Sequence, residues 1–174
     1  MYMENGGDYR NVWMAESEDG VHWRDVGPVI KSKDFLVWAM SVHRASDGRY
    51  IMNHGSFSDG EQNVLKLWQS DDLYNWSYMG EKFDVTLNGL GLSADSRLDA
   101  MNVVKNDNGY YGYATGPAGF LFSRDGISWQ NRGSNISFGD IPPPPMPENE
   151  GIFEVGGCAE LFGKYYYLGG WFNY

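Results

Sequence analysis

Cys158 is the only cysteine in the chain, which excludes an internal disulfide and any zinc site built from several cysteines. It leaves the compartment open, because secreted proteins without disulfides are common. Histidine is almost as scarce. None of His22, His43 and His54 falls in a His-x-x-x-His helix pattern or beside a cysteine, so no metal site is expected. Basic residues are few, 13 Lys and Arg against 23 Asp and Glu, for a formal net charge of -10. Such a field repels phosphate backbones and anionic membrane surfaces, so neither nucleic acid nor membrane is an expected partner. No apolar run approaches the roughly 20 residues of a membrane helix, and the first residues show no basic start followed by an apolar leader. Gly156-Gly157 and Gly169-Gly170 lack the Lys and Ser or Thr of a phosphate loop. What the chain does have is aromatic weight: 16% of its 174 residues within a 42% hydrophobic total, enough for the core of an ordinary domain.

A repeat runs through it. Ser17-Glu18-Asp19-Gly20-Val21-His22-Trp23, Ser70-Asp71-Asp72-Leu73-Tyr74-Asn75-Trp76 and Ser123-Arg124-Asp125-Gly126-Ile127-Ser128-Trp129 share one pattern, each beginning 53 residues after the last. A fixed period of this length marks stacked or radial units too small to bury their own faces, and propeller blades of four strands run about 40 to 50 residues. A second signal keeps step with the first. Ser46-Asp47-Gly48-Arg49-Tyr50, Asp107-Asn108-Gly109-Tyr110-Tyr111 and Leu161-Phe162-Gly163-Lys164-Tyr165 each put turn residues before an aromatic strand, as a hairpin does.

Short runs rich in Val, Tyr, Trp, Phe and Ile, such as 50–53, 64–69, 110–115 and 165–168, read as strands, and no amphipathic helix is expected. In the Ser-x-Asp-Gly-x-x-Trp turns, Ser and Asp are expected to cap backbone amides while Trp packs between neighbouring units. Asp19, Asp72 and Asp125 are therefore scaffold. The fold expected is all-β: a β-propeller of which about three blades' worth is present. It divides into an outer half-blade at about 1–34, blades at about 35–90 and 91–140, and an inner half-blade at about 150–174. Since closed propellers need about four blades or more, the chain reads as an internal piece.

In a propeller the first strand of each blade lines the axis, so the residues opening it face the mouth where a ligand sits. Counted back from the inner turns, Trp38 and Asp99 fall ten residues before Gly48 and Gly109, and Glu154 nine before Gly163, whose turn is one residue shorter. Two carboxylates facing one channel among aromatics suit glycosidic cleavage, in which a protonated acid serves the leaving oxygen and carboxylates stabilise an oxocarbenium-like state.

These motifs resemble those of the five-bladed propeller glycosidases, the clan of glycoside hydrolase families 43, 32 and 68. Trp38-Ala39-Met40-Ser41 resembles the Trp-Ala-Pro-Asp opening of the second blade. Asp99-Ala100 ahead of Asp107-Asn108-Gly109-Tyr110-Tyr111 resembles the Asp-Pro opening of the third. Glu154 ahead of Gly163-Lys164-Tyr165-Tyr166-Tyr167-Leu168 resembles the fourth, which opens on Glu. The resemblance implies Glu154 as general acid and Asp99 as the carboxylate that tunes it. A third carboxylate, an Asp opening the first blade, would act as base or nucleophile and lie upstream of Met1, leaving this stretch inactive alone. Arg97 is similar to the Arg of an Arg-Asp-Pro element that binds sugar hydroxyls. The substrate implied is a poly- or oligosaccharide; no cofactor is required, though an axial cation such as calcium is admitted, and an extracellular or periplasmic place follows by analogy.

Trp38 is the candidate sugar-stacking platform. The segment 141–151, with Pro142-Pro143-Pro144-Pro145, forms a stiff rim or a plain spacer, and Glu150 within it is a rival acid at the substrate site. Glu160 lies too near its turn to reach the mouth. Two other functions stay open. A carbohydrate-binding propeller without catalysis would use the same carboxylates and Trp38. A sialidase-like propeller is suggested by the outer turns, which resemble the Asp-box, but no arginines repeat at inner-strand starts.

Overall fold

The structure, a computed structural model, describes residues 2–3, 11–32, 36–58, 61–92, 98, 101–114, 120–133 and 151–173. Apart from one 3-10 turn, Glu81–Phe83, every regular element among them is a β-strand, so the chain is all-β. The strands fall into four antiparallel sheets, each made from one stretch of sequence. The first holds β1 (Tyr2–Met3), β2 (Asn11–Glu16) and β3 (Arg24–Lys31). The second runs β4 (Leu36–Arg44), β5 (Tyr50–Ser58) and β6 (Glu61–Ser70), with an outer edge split into β7 (Ser77–Tyr78) and β8 (Val85–Thr86). The third is β9 (Met101–Asn106), β10 (Gly109–Ala114), β11 (Phe120–Ser123) and β12 (Gln130–Gly133). The fourth is the hairpin of β13 (Gly151–Leu161) and β14 (Lys164–Asn173).

Consecutive strands pair antiparallel within each sheet, as short turns between strands allow. The first sheet holds one strand more than the outer pair expected, because Tyr2 and Met3 pair with Trp13 and Val12. The split edge of the second sheet comes from Gly80, whose φ of 95° turns the chain into Glu81–Phe83 before Val85 and Thr86 return to Leu65 and Val64.

Period-two alternation puts apolar side chains on both faces of the second sheet. Ile51, Leu65 and Leu67 pack with Leu98, Met101, Ala114 and Leu121 toward the third sheet, while Val37 and Met52 meet Val12 and Ile30 of the first. Each fully buried side chain of this size contributes about 1.5–3 kcal/mol. The first strands of the later sheets are neighbours, β4 beside β9 and β9 beside β13, without pairing to one another.

The repeated turns are built alike. Ser17, Ser70 and Ser123 each accept through Oγ the amides of the residues two and three positions on, at 2.8–3.3 Å. Asp19, Asp72 and Asp125 each accept two further amides through Oδ1, at 2.7–2.9 Å. The left-handed position is Gly20 in the first turn and Gly126 in the third, but Leu73, at φ 70°, in the second. Trp76 and Trp129 are half-buried against the cores, as expected. Trp23 differs: it is 64% exposed, because no described sheet lies over the first turn.

Candidate functional site

The strands place two of the five candidate residues on equivalent rungs. Trp38 pairs with Gly55 and Glu154 with Gly170. Each glycine lies six residues beyond the residue that closes its hairpin turn: Arg49, whose carbonyl accepts the amide of Ala45 at 2.8 Å, and Lys164, paired with Leu161. A bulge adjoins the Trp38 rung, and another lies one rung from that of Glu154. Ala39 is skipped between Trp38 and Met40, and Gly156 between Val155 and Gly157. Ala39 takes φ 39°, a left-handed conformation unusual for a residue with a Cβ, and such strain in a strand is found at functional sites more often than elsewhere. Asp99, Arg97 and Glu150 lie outside the described residues, and Trp38 and Glu154 are placed by their backbone and register.

One rung below Trp38, His54 pairs with Met40. Its imidazole is fully buried, donates from Nδ1 to the carbonyl of Gly55 at 2.8 Å and accepts at Nε2 from Trp68 Nε1 at 3.0 Å. Those roles define a neutral ring in one tautomer. Burial, with the Lys66 ammonium adding to it and the Gly55 carbonyl opposing, pulls its pKa down to about 4. Beside it Lys66 Nζ donates to Asp84 Oδ2 at 2.7 Å, and Tyr78 donates its hydroxyl to the same carboxylate at 2.8 Å. Both members of the Lys66–Asp84 pair are nearly buried. The network ties β5, β6, β7 and the segment after the 3-10 turn into a stiff support under the Trp38 rung. A lysine in the apolar run Val64-Leu65-Lys66-Leu67-Trp68 was the sequence signal for it, since a lysine there has to find an acid.

The opposite ends of the sheets carry the repeated turns. The third seats on the β4–β5 hairpin: Ser46 donates its amide to the carbonyl of Asp125 at 3.0 Å, and His43 Nε2 lies 2.7 Å from the carbonyl oxygen of Gly126. Burial lowers the pKa of His43, against the Gly126 carbonyl. The three aspartates are held ionised. Asp19 is lowered by His22, whose Nδ1 sits 2.7 Å from Oδ2, together with the amides of His22 and Val21. Asp72 falls to about 2 through the amide and side chain of Asn75 and the amide of Tyr74. At Asp125 burial works to raise the pKa, and the amides of Ser128 and Ile127 with the Ser123 hydroxyl outweigh it. These carboxylates spend their lone pairs on the turn, which suits scaffold and not proton transfer. Glu160 likewise accepts the amide of Gly163 at 2.7 Å, capping its own turn.

Near these turns lies a shallow recess of about 480 Å³ lined by Lys105, Arg124 and Arg132, with Lys105 over the ring of Tyr110 and Arg132 over that of Phe122. Among the described residues no group of three or more His, Cys, Asp or Glu side chains is placed to hold a metal ion. No helix among them is long and apolar enough to cross a membrane. No family model, curated protein or solved structure matches the chain.

Proposed function

We propose that the four sheets are consecutive blades of a β-propeller, five-bladed when complete, and that the ends of β4, β9 and β13 form the mouth of a glycoside hydrolase site. In this reading Glu154 protonates the leaving oxygen, Asp99 holds the acid protonated and steadies the positive charge of the transition state, and Trp38 stacks on a sugar ring. Arg97 and Glu150 would contact sugar hydroxyls at the rim. The base or nucleophile is assigned to an Asp on a strand preceding β1. Its carboxyl would stand roughly 6.5 to 9.5 Å from Glu154 in an inverting enzyme and about 5 to 5.5 Å in a retaining one.

The observation that carries the reading is the shared rung. Trp38 and Glu154 stand at one level of their hairpins, on strands that both neighbour β9, and each is opposite a glycine. The stiff His54–Trp68 and Lys66–Asp84 network beneath the Trp38 rung supplies the preorganisation that a transition-state site needs.

The test is Glu154→Gln in a polypeptide that carries these blades and the preceding Asp strand, assayed on arabino-, xylo- and fructo-oligosaccharides for reducing-end release and for binding. Hydrolysis lost with binding kept supports the acid role. Unchanged turnover removes Glu154 from it, and binding without hydrolysis in the unsubstituted protein favours a carbohydrate-binding propeller.

A further inference from the structure

The second and third repeated turns match position for position, Leu73 with Gly126 and Trp76 with Trp129. Their backbones match too: φ is 70° at Leu73 and 81° at Gly126, and Ser and Asp cap the same amides in both. They differ in what holds the carbonyl at that left-handed position. In the second turn Trp76 Nε1 donates to the carbonyl of Leu73 at 2.7 Å, closing the turn on itself. In the third the carbonyl of Gly126 is taken from outside the turn by His43 Nε2, also at 2.7 Å, and Trp129 Nε1 is left buried without a hydrogen bond.

The ring that takes its place is short of a partner as well. A carbonyl only accepts, so Nε2 carries the proton and Nδ1 of the neutral ring is a bare lone pair. That atom is buried with no hydrogen bond, between Tyr110 and Trp129, whose ring centroids stand 5.9 and 6.0 Å from that of His43. The Tyr110 hydroxyl is buried and unpartnered too. A second proton would put a donor and a full charge on this ring, and among the described residues no carboxylate is free to receive it. Asp125 spends its carboxylate on Ser123 and on the amides of Ile127 and Ser128. The other charges at this end of the third sheet are the cations Lys105, Arg124 and Arg132 and the exposed Asp107 of the β9–β10 turn. On the β4–β5 hairpin Arg44 donates to the Gly48 carbonyl and Asp47 pairs with Arg49. Burial accordingly holds the pKa of His43 down, but the residue as a whole is only partly buried, so the ring has a way out to water.

We propose that the third turn has two states exchanged by protonation of His43. In the held state neutral His43 donates to the Gly126 carbonyl across the seam between the second and third sheets. In the released state the protonated ring turns out to solvent, and Trp129 Nε1 takes the same carbonyl as Trp76 does in the second turn. Acid drives the exchange one way: the held ring refuses a proton that the released ring accepts near the ordinary value of 6.5. The held state is therefore fully favoured above that pH, and below it the held-to-released ratio falls by up to tenfold per pH unit until the held ring is itself protonated. The seam lies at the end of the sheets away from Trp38, so the exchange does not depend on what the mouth binds.

Nuclear magnetic resonance of the chain with isotope-labelled tryptophan and histidine, titrated from pH 7.5 to 4.5, reads both sides of the exchange. At pH 7.5 His43 is expected as the Nε2–H tautomer, with the Trp129 indole proton, assigned by its loss in Trp129→Phe, upfield of the hydrogen-bonded Trp76 proton. As the pH falls, His43 becomes cationic and the Trp129 proton moves downfield toward that of Trp76, while the strand amides keep their dispersion. Trp68, which donates to His54, reports that other buried ring separately. In His43→Ala the Trp129 proton sits downfield at every pH. A Trp129 proton that ignores pH, one that moves only as all the amides collapse together, or one left upfield in His43→Ala overturns the proposal. Should His43→Ala not fold, the titration of the unsubstituted chain decides alone.

Discussion

His43 Nε2 lies 2.7 Å from the carbonyl oxygen of Gly126, a residue 83 positions away, and this bond fastens the third repeated turn to the hairpin of the second sheet. Gly126 and Gly20 occupy the same place in their turns with nearly the same φ, 81° and 74°, but only Gly126 has neighbours. Gly20→Ala is expected to cost about 1–2 kcal/mol, the price of a left-handed alanine alone. Gly126→Ala carries the same penalty plus a contact 3.2–3.3 Å from Tyr110, Ala45 and His43, and is expected to cost at least 1 kcal/mol more. Urea unfolding of the two variants measures the difference; equal losses would mean that the turn is not seated.

Stability should fall with acid in a particular window. The pKa of His54 is about 4 in the folded chain against an ordinary 6.5, so between those values the unfolded chain binds a proton that the folded chain refuses. Unfolding free energy is therefore level above about pH 6.5 and decreases as pH falls toward 4, by roughly 3 kcal/mol at most from this residue. His43, also lowered by burial, adds to the slope with the same sign. Denaturant melts between pH 4.5 and 7.5 should show this slope and a shallower one in His54→Gln; parallel profiles would contradict the buried neutral ring.

The Lys66–Asp84 pair is expected to be costly to break and cheap to replace. Asp84→Ala leaves a nearly buried ammonium without its carboxylate, for a loss of about 3–5 kcal/mol. Replacing both, as Lys66→Met with Asp84→Leu, should recover most of that stability, since burying two charges offsets much of their attraction. Thermal unfolding of the single and double variants separates the cases, and a double variant as unstable as the single one would contradict the ion-pair reading.

The repeat made much of this architecture legible. The 53-residue step and the Ser-x-Asp turns located the hairpins because turn chemistry is local: the same Ser and Asp oxygens cap the same amides wherever the pattern recurs. Counting back from those turns put Trp38 and Glu154 on one level; in their hairpins they pair with Gly55 and Gly170. The bulges at Ala39 and Gly156 were not legible, because a skipped residue depends on the partner strand. Nor was the split outer edge at Gly80, which brings Asp84 to Lys66. Trp23 was expected between sheets like Trp76 and Trp129; its sequence is the same, and what differs is the absence of a described neighbour to cover it.

The proposed chemistry is tested most directly by the leaving-group dependence of Glu154→Gln. A general acid matters when the departing oxygen is basic and hardly at all when it is not. In a polypeptide that carries these blades and the catalytic Asp strand, kcat/KM for an oligosaccharide should fall by roughly 10²–10⁴-fold on Glu154→Gln, while kcat/KM for the matching 2,4-dinitrophenyl glycoside stays close to the unsubstituted value, because kcat/KM leaves out the later step in which a retaining enzyme's acid turns base. Equal losses on both substrates, or none on either, would contradict the assignment of Glu154 as the acid.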